Sequence, residues 1–267
     1  MTFDDVFDIH SHIGVYRGKE YSLQDALGRM DRNRISRAVV CPFVTGLLDR
    51  EDFRRANDYV IRAVKACPER LVGMCALTPV HGTFAVEEFR RCVDLGLSGI
   101  KLHPDKHGAY SLVGPVMEQL MQMVESTGAF VFIHSDFSSK VCSPYEIVAL
   151  ARAFPRAKIL LGHFGLDQEL CGRVPSIVEH VSNVYLDTSQ TADHPEAIFV
   201  SSTAKLGTGR VLFGSDAPVI SPEVNLKKLE VAVEVFHLAP NIAEAIVRKN
   251  AVQLLSGVPN IRVSLTP

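Results

Sequence analysis

A chain of 267 residues, 47% hydrophobic and 22% charged, can bury a sizeable core and lies outside the composition range of disordered chains. Its 28 basic and 30 acidic side chains leave a net charge of −2, so no whole-chain field favours nucleic acid or an anionic membrane. No apolar run approaches the roughly 18 residues needed to span a bilayer, and the acidic start (Asp4, Asp5) lacks signal-peptide character.

In chain order, short apolar runs predict eight strands: Val6–His10, Arg37–Cys41, Leu71–Ala76, Gly99–His103, Phe130–His134, Lys158–Gly162, Val184–Asp187 and Val211–Gly214. Continuous runs such as Phe130-Val-Phe-Ile suit strands covered on both faces, as in parallel sheets. Helical spacing links Phe53, Ala56, Val60, Ile61 and Val64, and again Leu226, Leu229, Val233 and Phe236. Ser143-Pro144-Tyr145-Glu146 carries a full helix-start signal; Ser22-x-x-Asp25 and Ser221-Pro222 carry weaker ones. Eightfold alternation predicts an α/β fold, a single (β/α)8 TIM barrel over residues 1–267, with an extended tail from Ser256. An open doubly wound sheet shares the alternation, but no G-x-G-x-x-G loop follows the first strand. The six cysteines (Cys41, Cys67, Cys75, Cys92, Cys142, Cys171) form no C-x-x-C pair. They read as reduced thiols of a cytoplasmic protein, with Cys41 and Cys75 acting as small buried hydrophobes.

Strand carboxyl ends share one face of such a barrel, and that face is where active sites are built. His10, His12, Lys101, His103, His134, His163 and Asp216 all fall there, from five strands. In Asp8-Ile-His10-Ser-His12, period-two alternation sends both imidazoles to one side, about 6.6 Å apart along the chain, within reach of one ion. Each residue alone has a plainer explanation: a satisfied core histidine, a turn-capping aspartate, a paired core lysine. Their convergence carries the argument. His163 could ligate, orient substrate or shuttle a proton. Lys101, with His103 on the same side, could be a carboxylated bridge, an anion clamp or a core charge. No G-x-S-x-G elbow or Walker loop is present.

Asp8-x-His10-x-His12-x-Gly14, Gly99-Ile-Lys-Leu-His-Pro104, Ile133-His134, Gly162-His163-x-Gly165 and Phe213-Gly-Ser-Asp216-x-Pro218 resemble, in order, the motifs of the amidohydrolase superfamily. The resemblance is greatest to the amidohydrolase-related (amidohydrolase 2) branch, which includes the aminocarboxymuconate-semialdehyde decarboxylase-like enzymes. It implies a metal-dependent enzyme, usually with zinc (Zn2+), and one ion rather than two. It also implies His10, His12, His134 and Asp216 as ligands, Asp216 and His163 as catalytic residues, and Lys101 and His103 facing substrate. A two-metal pattern would instead carboxylate Lys101 and recruit His163. The expected reaction is hydrolysis of an amide, ester or lactone bond in a small, carboxylated molecule by metal-activated water. The alternative is non-oxidative decarboxylation of an aromatic or muconate-type acid. A related nuclease fits less well, since Lys101 stands where those enzymes carry glutamate; a non-enzymatic metal scaffold leaves the other rim groups unexplained. The expected partner is a small-molecule substrate, with no nucleic acid or membrane, and the resemblance allows a homo-oligomer.

Overall fold

Apolar strand runs need cover on both faces, and the computed structural model, which describes residues 3–191 and 194–264, supplies it. Among the described residues nine strands form: β1 (Val6–Tyr16), β2 (Lys19–Tyr21), β3 (Ile35–Pro42), β4 (Leu71–Ala76), β5 (Gly99–Leu102), β6 (Phe130–His134), β7 (Lys158–Gly162), β8 (Val184–Asp187) and β9 (Val211–Leu212). They lie in the order β2-β1-β3-β4-β5-β6-β7-β8-β9, parallel throughout except for the β1–β2 hairpin. The sheet closes where β9 returns to β1. The Ile9 N–H donates to Phe213 O at 2.9 Å, Asp216 N–H to His10 O at 2.7 Å, and His12 N–H to Ala217 O at 2.7 Å. Eight parallel strands thus make an α/β barrel of the (β/α)8 type.

Four strand expectations are corrected at their ends: Arg37–Cys41 widens to Ile35–Pro42, Gly99–His103 stops at Leu102, and the first and last strands change more. β1 runs six residues past His10 and turns back as β2, a hairpin that the eight-strand reading omitted. β9 ends at Leu212, because Gly214 and the residues after it leave the ladder to build the site.

Side-chain alternation divides the core into two layers. Phe7, Ile9, Val39, Val72, Met74, Phe130, Phe132, Leu160 and Leu212 fill the barrel. Val6, Val40, Ile100, Leu102, Val131, Ile133, Ile159 and Leu161 face the surrounding helices. The space is tight: a Cβ on Gly162 would lie 2.5 Å from Phe132 Cε1, so a bare backbone there admits the inner phenylalanine. Among the described residues the tail, 256–264, has no regular structure, yet it packs on the barrel. Val258 and Val263 are buried against the inner cluster, and Arg37 donates to Ser264 O.

Helices start where their sequence signals stand. The box at Ser22 is complete: Asp25 N–H donates to Ser22 Oγ at 3.1 Å and Ser22 N–H to Asp25 Oδ2 at 2.8 Å, capping Leu23–Arg32. At Ser143 the hydroxyl instead bonds the Glu146 carboxylate, and Pro144 opens the helix Pro144–Ala153 without a side-chain cap to the backbone. Among the described residues no helix is long and apolar enough to cross a membrane.

Candidate metal centre

The pairing of β1 with β3 shifts register between Asp8 and Ser11, and this irregularity re-aims the strand where its histidines begin. His10 Nε2 and His12 Nε2 lie 3.1 Å apart. Asp216 Oδ1, from the segment after β9, is 3.0 Å from His12 Nε2 and 3.3 Å from His10 Nε2. Ligands about 2.1 Å from a shared ion sit about 3.0–3.4 Å from one another at right to tetrahedral angles. The triad therefore fits a divalent cation: two aromatic nitrogens and a carboxylate oxygen converge with the spacing such an ion imposes.

The triad is braced from behind. His10 Nδ1 meets Asp187 Oδ2 at 3.2 Å and Ser189 Oγ at 3.0 Å, the outer contacts that orient a ligating imidazole. Asp216 Oδ2 accepts from the Gln190 amide. Asp8, buried at the base, accepts from Ser215 N–H at 2.9 Å and Ser215 Oγ at 2.5 Å, tying the start of β1 to the Asp216 segment. Burial pushes the Asp8 carboxyl up to about 7. Burial also works to raise Asp216, but the facing imidazoles of His10 and His12 hold it well below the usual carboxylate range.

The other expected residues occupy distinct places. Lys101 Nζ lies 2.8 Å from His10 Nε2 and 3.7 Å above the Phe132 ring; burial lowers its pKa, against the opposing pull of Cys41, Asp216 and Asp187. His163 is buried, its Nδ1 2.9 Å from Ser189 Oγ, and burial pulls it down to about 4, so it is neutral at pH 7. His134 stands one ring farther out: it stacks on His103 at 3.8 Å and meets His163 edge-on at 4.9 Å. Burial holds His134 well below its ordinary value and His103 at about 2. His10, His163 and Asp187 form a second compact group, Asp187 Oδ2 lying 3.2 Å from His10 Nδ1 and 3.8 Å from His163 Nδ1. Ser189 Oγ bonds all three, which makes this group a hydrogen-bond hub and not an ion site.

Cys41 departs from its expected role. It is buried, but its Sγ is 3.2 Å from His12 Nδ1, which makes it a neighbour of the triad as well as a small hydrophobe. Against burial, which would raise it, the His12 charge draws the thiol down to about 6. Asp187, Ser189 and Gln190 were missed altogether, although Asp187 ends a predicted strand in the same manner as His134.

A narrow cleft of about 90 Å³ opens over this wall, lined by the triad's outer members with Lys101, Lys106, His103, His107, His134, His163, Tyr16 and Phe43. Asp216 is its lone carboxylate among the described residues.

A closed (β/α)8 barrel with a histidine–carboxylate triad at its strand carboxyl ends defines the class of metal-dependent barrel enzymes. Residues 8–256 match the model of the Amidohydrolase family (Amidohydro_2), and the chain belongs to that family. A curated relative is the 2-amino-3-carboxymuconate-6-semialdehyde decarboxylase of Dictyostelium discoideum, 33% identical over 97 residues. That match takes in 36% of this chain and spans about a quarter (24%) of the relative. Among solved structures, a dihydroxybenzoic acid decarboxylase from Polaromonas sp. JS666, with bound manganese and the inhibitor 2-nitroresorcinol, superposes with a TM-score of 0.73. It is 18% identical, with 95% of this chain and 97% of that one covered. A protein described as a probable 2-pyrone-4,6-dicarboxylic acid hydrolase from Acinetobacter baumannii, with citric acid bound, gives a TM-score of 0.69 at 18% identity, covering 94% and 99% of the two chains. At such identities these structures show the shared fold.

Proposed function

We propose that the chain is a metal-dependent hydrolase that cleaves an amide, ester or lactone bond in a small, carboxylated molecule. The observation that carries this reading is the inventory of the cleft wall: an ionised carboxylate (Asp216) and a neutral imidazole (His163) beside an ion-sized triad, under a basic lining. Both groups are unprotonated at neutral pH and so keep a lone pair open to the proton that water must lose.

His10, His12 and Asp216 would hold one zinc ion, with His134 on the same wall. When bound, the ion supplies Lewis acidity that brings the pKa of water from 15.7 toward about 7. Asp216 and His163 line the cleft as the groups that take up the proton and return it to the leaving group. Lys101 and Lys106 place positive charge where a substrate carboxylate would settle, and His103 stacks on His134 to wall the same space. Phe43 and Tyr16, stacked at 4.7 Å, cover one flank and limit solvent. The unpaired thiols of all six cysteines fit a reducing, cytoplasmic setting.

A second reading has its own support. The names of two relatives and the Lys101 ammonium beside the triad also suit decarboxylation of an aromatic or muconate-type acid, with Lys101 holding the departing carboxylate. Zinc-loaded protein offered ester, lactone and amide panels beside aromatic acids separates the two. Acid release without CO2 supports hydrolysis, CO2 release refutes it in favour of decarboxylation, and inertness across both panels refutes the enzymatic reading.

A further inference from the structure

Ser189 follows β8 by two residues and is fully buried between two site imidazoles. Its Oγ lies 3.0 Å from His10 Nδ1 and 2.9 Å from His163 Nδ1, and its hydroxyl donates to Asp187 Oδ2. A hydroxyl has one hydrogen and two lone pairs. The Asp187 carboxylate must take the hydrogen. It already accepts from His163 N–H at 3.2 Å and Ser189 N–H at 3.1 Å, and an ionised carboxylate has nothing to donate. Only lone pairs then remain for the imidazoles, so each ring presents an N–H at Nδ1. A neutral ring protonated at Nδ1 carries its lone pair on Nε2.

We propose that Ser189 is a positioning residue that locks His10 and His163 in the same Nδ1–H tautomer. It thereby delivers two Nε2 lone pairs to the site, one to the metal triad and one to the cleft. The two rings depend on it unequally. Asp187 Oδ2 is 3.2 Å from His10 Nδ1 but 3.8 Å from His163 Nδ1, beyond hydrogen-bond range. Without the hydroxyl, His10 keeps an acceptor and His163 loses its own. The functional meaning of His163 rests on the reading of the reaction given above, whereas its tautomer is independent of that reading.

The test is a long-range 1H–15N correlation spectrum of full-length, zinc-loaded protein labelled with 15N-histidine, using His163→Gln to assign the ring. The expected result is a protonated Nδ1 and a bare Nε2 at His163 in the wild type, and a mixture of tautomers in Ser189→Ala. Ser189→Thr, which keeps the hydroxyl, restores the wild-type pattern. In the alanine variant kcat falls about 10–100-fold, while zinc affinity, still supported through Asp187, changes less than tenfold. A wild-type His163 protonated at Nε2 overturns the proposal without any variant having to fold. An unchanged His163 spectrum in Ser189→Ala overturns it as well. If the tautomer shifts as expected and kcat does not, the role of His163 in the reaction falls while Ser189 keeps its assignment.

Discussion

Replacing Gly214 by alanine isolates the bracing behind the triad. A Cβ there would stand 1.9 Å from Asp187 Oδ1 and 3.1 Å from both Asp187 Cγ and His10 Cβ. The Gly214 backbone does not sit in the left-handed region, so the cost is one of space. Ordinary contact begins near 3.4 Å, and the carboxylate must therefore retreat by about 1.5 Å. It cannot swing freely, because it accepts from Ser189 N–H at 3.1 Å, His163 N–H at 3.2 Å and His10 Nδ1 at 3.2 Å. Overpacking of this kind costs about 1–3 kcal/mol, and each hydrogen bond to a buried charge is worth about 1.5–3 kcal/mol. With partial relaxation the loss is on the order of 3–5 kcal/mol, or roughly 10 °C in Tm for a chain of this size. The slackened His10 should also weaken zinc about 10–100-fold. Differential scanning calorimetry and zinc titration against a competing chelator read both effects. Gly209→Ala, whose Cβ would meet only Gln253 Oε1 at 3.6 Å, is the control, expected to stay within about 0.5 kcal/mol of wild type. Wild-type melting and zinc affinity in Gly214→Ala would refute the claim that Asp187 braces the site.

Asp216→Asn removes the ionised member of the triad, and turnover should fall at least about 100-fold; retained turnover in steady-state assays argues against its role. Chelator treatment should abolish activity, with recovery on adding zinc or manganese, and ion at 100 times its Kd should raise stability by about 2.7 kcal/mol; a melting temperature indifferent to zinc counts against the site. Lys101→Met should raise KM for carboxylated substrates about tenfold or more while zinc binding survives, and equal KM values exclude Lys101 as the anion partner. Burial holds His107 at about 4 against an ordinary 6.5. The unfolded chain therefore binds the proton first as pH falls, and stability present above pH 6.5 is lost toward pH 4. That loss is on the order of 3 kcal/mol; in urea titrations at stepped pH, His107→Gln should flatten this window, and an unaltered slope disproves the assignment.

Most of the barrel was legible because its strands are buried on both faces and announce themselves as apolar runs. Phe130–His134 and Lys158–Gly162 end where the sequence pattern ends. The hairpin strand Lys19–Tyr21 has no such pattern: two of its three residues are exposed, and its pairing depends on β1 continuing past the barrel. The tail from Ser256 reads as extended because Gly257, Pro259 and Pro267 break any regular period. Val258 and Val263 are nonetheless buried, because the floor of the barrel accepts apolar contacts from a chain with no regular structure.

The site divides along the same physical line. His10, His12, Lys101 and His134 lie on or at the ends of strands, where period-two alternation sets direction, and for this reason sequence placed them on one rim. Ser189 and Gln190 lie beyond a strand end, where no period operates. Gln190 adopts φ 50°, His163 φ 61° and Asp216 φ 58°, each just past β8, β7 or β9. Left-handed backbone costs a side-chain-bearing residue on the order of 1–2 kcal/mol. Here it turns the chain off the barrel while leaving the side chain over its mouth. Cys41 shows the converse: sequence reads it as a small buried hydrophobe, which it is, yet only the tertiary fold shows that what it meets there is His12 Nδ1 at 3.2 Å. The two ion-holding histidines and Asp187 can thus be read from strand periodicity, while Asp216, Ser189 and Gln190 are set by turns that leave no periodic trace. A search of related sequences for orienting residues should therefore begin one to three positions after each strand, in the turns that follow β7, β8 and β9.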